Sequence, residues 1–202
     1  MKDLKIIITA VGSPGSATNI RYLKSVEERK LFLIGTDLNH DKIGKHWCDK
    51  FYTVPKGEDE KFIPRLLEII KKEKPDVLFP QSSSEVIPLS RNKDILEKEG
   101  VKVLISSEKA VYEAENKAEL YKSLEGGPVK IPKFRIVNSL SDFLDAVKAL
   151  GYPKTPVCFK PPISKGTRGF RILRDDVSRK HALLHERPIN RFISINEFKE
   201  IF

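Results

Sequence analysis

The apolar positions change period at regular intervals along the chain. KIIITA at 5–10 and KLFLIGTD at 30–37 are apolar, β-branched-rich runs with little polar alternation, and they read as strands buried on both faces. SATNIRYLKSVEE between them reads as a helix, and FYTVP at 51–55 is a third, short strand. EKFIPRLLEIIKKE at 60–73 places Phe62, Leu66, Ile69 and Ile70 on one stripe, as a helix packed on a sheet requires. DVLFP at 76–80 and VKVLISS at 101–107 supply a fourth and a fifth strand, with a helix following SSSEVIP between them. Strands and helices alternating in this way predict an α/β unit with a parallel sheet, Rossmann-like, over residues 1–107.

After Ser107 the rhythm changes. EKAVYEAENKAELYKSLEGG reads as one long helix stopped by a glycine pair, and KIPKFRIV at 130–137 as an edge strand begun by a proline. Ser139, with Asp142 three residues on, caps a helix that Gly151 ends. PVCFKP and RGFRIL then form the two strands of an antiparallel hairpin. A sheet with helices on one side makes a second, α+β domain over 108–202. No repeat or low-complexity segment interrupts the chain.

Composition narrows the classes. The 202 residues are 40% apolar, enough for a packed core. The 37 Lys+Arg against 28 Asp+Glu give a charge of +9, yet basic and acidic residues are interleaved in stretches such as LLEIIKKEKPD. That is the pattern of solvated helix faces, so no nucleic-acid partner is expected; an anionic ligand is favoured where the excess converges. Cys48 and Cys158 lie far apart, each in or beside an apolar stretch, and read as reduced, half-buried packing residues of a cytoplasmic protein. The N-terminal apolar run is short and ends in a glycine turn, so it reads as a strand, and no membrane association is expected.

Candidate chemistry falls in three places. The turn AVGSPGSATNI after the first strand holds Gly12, Ser13 and Gly15 ahead of a helix, and Asp37 closes the second strand. The spacing GxxGxA breaks the dinucleotide fingerprint, which leaves open a structural turn, an anion site, or a nicotinamide or flavin site. Gln81 and Ser82 to Ser84 follow the fourth strand at its carboxyl end, where open α/β sheets bind ligands, although Ser84–Glu85 also suits a helix start. In CFKPPISKGTRGFRIL, Lys160 ends an apolar strand, Pro161 and Pro162 stiffen the exit, and the following loop supplies amides, hydroxyls and two more cations. A lysine on a rigid strand presents a point charge to a phosphate, and such a loop can fold its amides over the remaining oxygens. His46 with Cys48, and His181 with His185, lack the further ligands a metal site needs.

Taken in order, a Rossmann-like unit, a helix carrying AENKAEL, IPKF, a helix, VCFKP and a glycine loop returning as GFRIL resemble the ATP-grasp superfamily. The resemblance is to the N-terminal part of the carbamoyl-phosphate synthase large chain and to related carboxylate-amine ligases. It implies a pre-ATP-grasp domain followed by the first lobe of an ATP clamp, with ATP and Mg2+ as cofactors. It assigns Lys117, Lys160, Ser164, Lys165, Gly166, Thr167, Arg168 and Gly169 to ATP binding, and Ser13, Asp37 and Ser82 to the acceptor substrate. The partners implied are a small-molecule carboxylate and an amine or ammonia, with a homodimer or a second chain completing the site. The metal-holding residues belong to a second lobe that the sequence does not reach, so the isolated chain is expected not to turn over. Two rival classes are a Rossmann-type nucleotide or NAD enzyme and a noncatalytic basic RNA- or partner-binding module, the latter favoured by the basic stretch at 178–192.

Overall fold

The protein is described by a computed structural model covering residues 2–164, 169–176, 178 and 192–201. It divides into two compact units, residues 1–112 and 113–202.

In the first unit β1 (Leu4–Ile8), β2 (Leu31–Asp37), β3 (Lys50–Thr53), β4 (Val77–Phe79) and β5 (Lys102–Val103) form one parallel sheet in the order β3-β2-β1-β4-β5. β1 pairs with β2 from Leu4 opposite Leu31 to Ile8 opposite Gly35, and on its other side with β4. The strand order reverses between β1 and β4. α1 (Ser16–Lys24), α2 (Phe62–Glu73), α3 (Ser83–Arg91) and α4 (Lys93–Glu97) are the crossover helices. The stripe read from the sequence is the buried one: Phe62, Leu66, Ile69 and Ile70 join Ile7, Ile34 and Leu78 in the core. α2 stops because Lys74 turns left-handed, at φ 50°, and Pro75 cannot continue the helix. α3 begins at Ser83, inside SSSEVIP rather than after it, because Ser82 accepts a hydrogen bond from the Ser84 amide at 3.3 Å. β5 is two residues long, shorter than the apolar run VKVLISS suggested.

The second unit contains α6 (Lys117–Leu124), α7 (Leu140–Ala149), β6 (Val157–Phe159), β7 (Arg171–Leu173), β8 (Phe192–Ile193) and α8 (Ile195–Ile201). β6 and β7 are antiparallel, Cys158 opposite Ile172, and β8 adds parallel to β7. Its core is aromatic. Phe143 of α7 stacks on Phe198 of α8 at 3.8 Å, and Phe159 of β6 meets both edge-on. Ser139 caps α7 by accepting from the Asp142 amide, as the sequence predicts.

Three expectations are corrected. The single helix over 108–127 is two, α5 (Glu108–Glu115) and α6. Asn116 between them has extended backbone, and its side chain accepts from the amides of Ala118 and Glu119, so a helix start is written inside the periodic run. KIPKFRIV forms no strand. Pro132 removes a ladder donor, and a cavity of about 240 Å³ lies between residues 132–138 and β6 with its exit, so no ladder joins the two. Cys158 is exposed rather than half-buried, because alternation on a three-residue strand points Val157 inward and Cys158 outward.

Candidate functional site

Each unit places candidate residues at the ends of its strands. In the first, Ser13, Asp37 and Ser82 follow or close β1, β2 and β4, at the carboxyl edge of one sheet. Ser13 Oγ lies 2.6 Å from Ser16 Oγ, which itself donates to the Ala10 carbonyl. Asp37 is buried and accepts from the amides of Gly12 at 2.8 Å and Asn39 at 3.0 Å. The amide and the carboxylate that a dinucleotide would use are thus bonded to each other. The face of the turn is also covered: a Cβ on Gly12 would lie 2.5 Å from the Lys42 side chain.

Where the strand order reverses, Thr9 donates its hydroxyl to the Glu85 carboxyl and accepts from the Gln81 amide at 3.0 Å, while Asn19 donates to the Gln81 side chain. Glu85 is 5% exposed, and burial pushes its carboxyl up to about 7, with the neighbouring charge of Asp37 adding to the shift. Thr9 and Glu85 were not among the residues singled out from the sequence. The available signal was Ser82-x-x-Glu85, the spacing of a capping box.

In the second unit Lys117 opens α6. Its amide donates to the Pro162 carbonyl at 2.8 Å, and its ammonium lies 3.1 Å from Ser164 Oγ and 3.4 Å from the Ser164 carbonyl. Lys160 leaves β6 exposed, 3.4 Å from the Tyr121 hydroxyl and 5.7 Å from the centre of its ring. The same cavity of about 240 Å³ is lined by Lys117, Tyr121, Phe134 and Lys160. Its deeper wall is apolar, with Phe143, Val147 and Phe159. Gly169, where the chain returns, has φ 75°, and a Cβ there would lie 2.5 Å from Pro161 Cγ, so glycine closes the loop against the proline pair. Lys165, Gly166, Thr167 and Arg168 lie outside the described residues, as do His181 and His185. Lys117, Lys160 and Ser164 are therefore brought together from positions 117, 160 and 164. Tyr121, one helical turn after Lys117, joins them unpredicted.

Cations and neutral donors around the cavity suit phosphate or carboxylate oxygens. They do not suit Mg2+, which needs oxygen ligands; among the described residues no group of three or more His, Cys, Asp or Glu stands close enough to hold a metal. No helix of the described chain is long and apolar enough to cross a membrane.

Comparison with known proteins agrees with this architecture. Residues 6–104 match the PylC-like N-terminal domain. The chain is 31% identical over 108 residues to the carbamoyl phosphate synthase large chain of Thermotoga neapolitana, a match covering 52% of this chain and 10% of that protein. It is 30% identical over 127 residues to the N-terminal section of the large chain from Aquifex aeolicus, covering 60% and 21%. The matches thus span about a tenth to a fifth of the length of these curated relatives. Among solved structures, N5-carboxyaminoimidazole synthetase from Staphylococcus aureus complexed with ADP superposes with TM-score 0.57 at 18% identity, over 80% of this chain and 39% of that one. A biotin carboxylase from Campylobacter jejuni in a beta-gamma-ATP complex gives TM-score 0.58 at 18% identity, over 83% and 37%. Residues 6–104 thus match the PylC-like N-terminal domain, and the chain resembles the ATP-grasp ligases, in particular the N-terminal part of the carbamoyl-phosphate synthase large chain.

Proposed function

We propose that the chain is the N-terminal portion of an ATP-dependent carboxylate-amine or carboxylate-ammonia ligase of carbamoyl-phosphate synthase type. Residues 1–107 are its pre-ATP-grasp domain and 108–202 part of its ATP-grasp domain. The observation that carries this is the convergence of Lys117 and Lys160 on one cavity, with Ser164 beside Lys117. Two ammonium groups and a hydroxyl offer a polyphosphate charge and hydrogen bonds at fixed points. The glycine loop, Ser164 to Gly169 with Lys165, Gly166, Thr167 and Arg168, is assigned to the ATP phosphates, to which it would offer amides, hydroxyls and cations. In the complete reaction ATP phosphorylates a carboxylate or bicarbonate, and the amine or ammonia displaces phosphate from the acyl phosphate. Ser13, Asp37 and Ser82 stand at the sheet edge assigned to the acceptor, and Mg2+ is held by residues outside the described cavity.

The test is binding of a nonhydrolysable ATP analogue with magnesium, by calorimetry, to this chain and to Lys160→Ala. Saturable binding that weakens about 10- to 100-fold in the variant is expected, the range for losing a charged hydrogen-bond partner. Equal binding by both, or by neither, would remove the ATP site from these residues.

A further inference from the structure

Lys160 carries one of the two charges on which the proposed ATP site depends, and nothing in its own strand fixes where that charge sits. Its side chain is exposed and leaves β6 just before Pro161 and Pro162. Among the described residues it meets no carboxylate within ion-pair distance. Its partner is Tyr121: the ammonium is 3.4 Å from the hydroxyl and 5.7 Å from the ring centre, so one residue offers both a hydrogen bond and an aromatic face. Tyr121 is itself held. It is half-buried on α6, its ring lies 5.2 Å from that of Phe134 at a tilt of 33°, and both rings line the cavity.

The position of Tyr121 on α6 adds a second constraint. Lys117 and Tyr121 are at i and i+4, which puts them on the same face of the helix, one turn apart. The Lys117 ammonium is tied to Ser164, and the Lys160 ammonium leans on Tyr121, so a single helix sets the positions of both charges. The chemistry of the partner matters too. A carboxylate at position 121 would hold Lys160 as firmly but would compete with an incoming anion for it. A phenol ring attracts the ammonium without cancelling its charge.

Resting on the ATP-site reading above, we infer that Tyr121 is the positioning residue for Lys160: it places the ammonium beside the cavity before any ligand arrives, so that a polyphosphate meets two charges at a preset spacing. The ordering of a long, flexible side chain is then already achieved when the anion binds.

The experiment is a double-mutant cycle on the full chain, using inorganic tripolyphosphate and a nonhydrolysable ATP analogue as probes. Tyr121→Leu is expected to weaken both about tenfold in the wild-type background and to have little effect in a Lys160→Ala background. Tyr121→Phe, which keeps the ring, retains most of the affinity. In parallel, the side-chain NMR signals of Lys160, assigned by their loss in Lys160→Ala, are shifted by the Tyr121 ring current in the unliganded protein. They return to the position of a free lysine in Tyr121→Leu and stay shifted in Tyr121→Phe. A loss in Tyr121→Leu that persists undiminished in the Lys160→Ala background, or Lys160 signals that ignore the ring, would overturn the inference while leaving the ATP site intact. A wild-type chain that binds neither probe overturns both.

Discussion

The two units treat their polar residues in opposite ways. At the carboxyl edge of the first sheet the polar groups are spent on one another: Asp37 on the Gly12 and Asn39 amides, Thr9 on Glu85 and Gln81, Ser13 on Ser16. In the second unit Lys117 and Lys160, beside the cavity, have neutral partners, Ser164 and Tyr121, which orient an ammonium without neutralising it. A satisfied network holds a loop in place, whereas a cation oriented by neutral groups still has its charge to give. The first edge therefore reads as a framework already held in place, and the second cavity as the proposed place of the ATP phosphates.

The strongest challenge to that contrast is to the support. Phe62 is fully buried among Leu66, Ile69 and Leu78, and Phe62→Ala is expected to lower stability by about 3–5 kcal/mol in urea unfolding. If the first unit is a separate support, near-complete unfolding of it should leave the circular-dichroism and tyrosine signals of the second unit with their own transition. A single, equally shifted transition would show that the units are one cooperative body.

Next in size is the buried acid. The Glu85 carboxyl is raised by burial from 4.5 to about 7, so the folded state holds this proton more tightly than the unfolded chain does. Its contribution is fully present below about pH 4.5 and is lost as pH rises through about 7, a decline of about 3 kcal/mol. Glu85→Gln keeps an acceptor for Thr9 and carries no charge. The difference in stability between wild type and variant should therefore change across this pH window and flatten outside it. A difference independent of pH would mean that the network does not bury a titrating group.

The second unit is sharpened by smaller effects. Lys160→Ala should cost about 1.5–3 kcal/mol of anion affinity while leaving the unfolding free energy from urea titration within about 0.5 kcal/mol of wild type, since the side chain is exposed. A shared loss of affinity and stability would make Lys160 a structural residue. Asn116→Ala removes the acceptor for two amides at the start of α6, with an expected loss of about 1 kcal/mol. Because Lys117 is the next residue, the same change should weaken anion binding by a few-fold, and calorimetry would show it.

Local pattern and tertiary context divided the outcome in a physically intelligible way. The strands and helices of the first unit were legible because a sheet buried on both faces leaves continuous β-branched runs, and a helix against it leaves a stripe. KIPKFRIV looks equally strand-like, but a strand exists only where a partner meets its donors, and here a cavity intervenes. The run 108–127 has unbroken helical composition, yet Asn116 competes for the amides that follow it and starts a second helix.

By itself, the sequence determined the order of strands and helices and the parallel topology of the first unit, and the capped helix at Ser139. Those follow from periodicity and capping chemistry, which act over a few residues or along the chain. Only the tertiary structure decided which polar groups were already satisfied, that Thr9 and Glu85 share a proton-bearing contact, and that Tyr121 stands against Lys160. The last two depend on groups 76 and 39 residues apart meeting at hydrogen-bond distance, and no local pattern encodes such an approach.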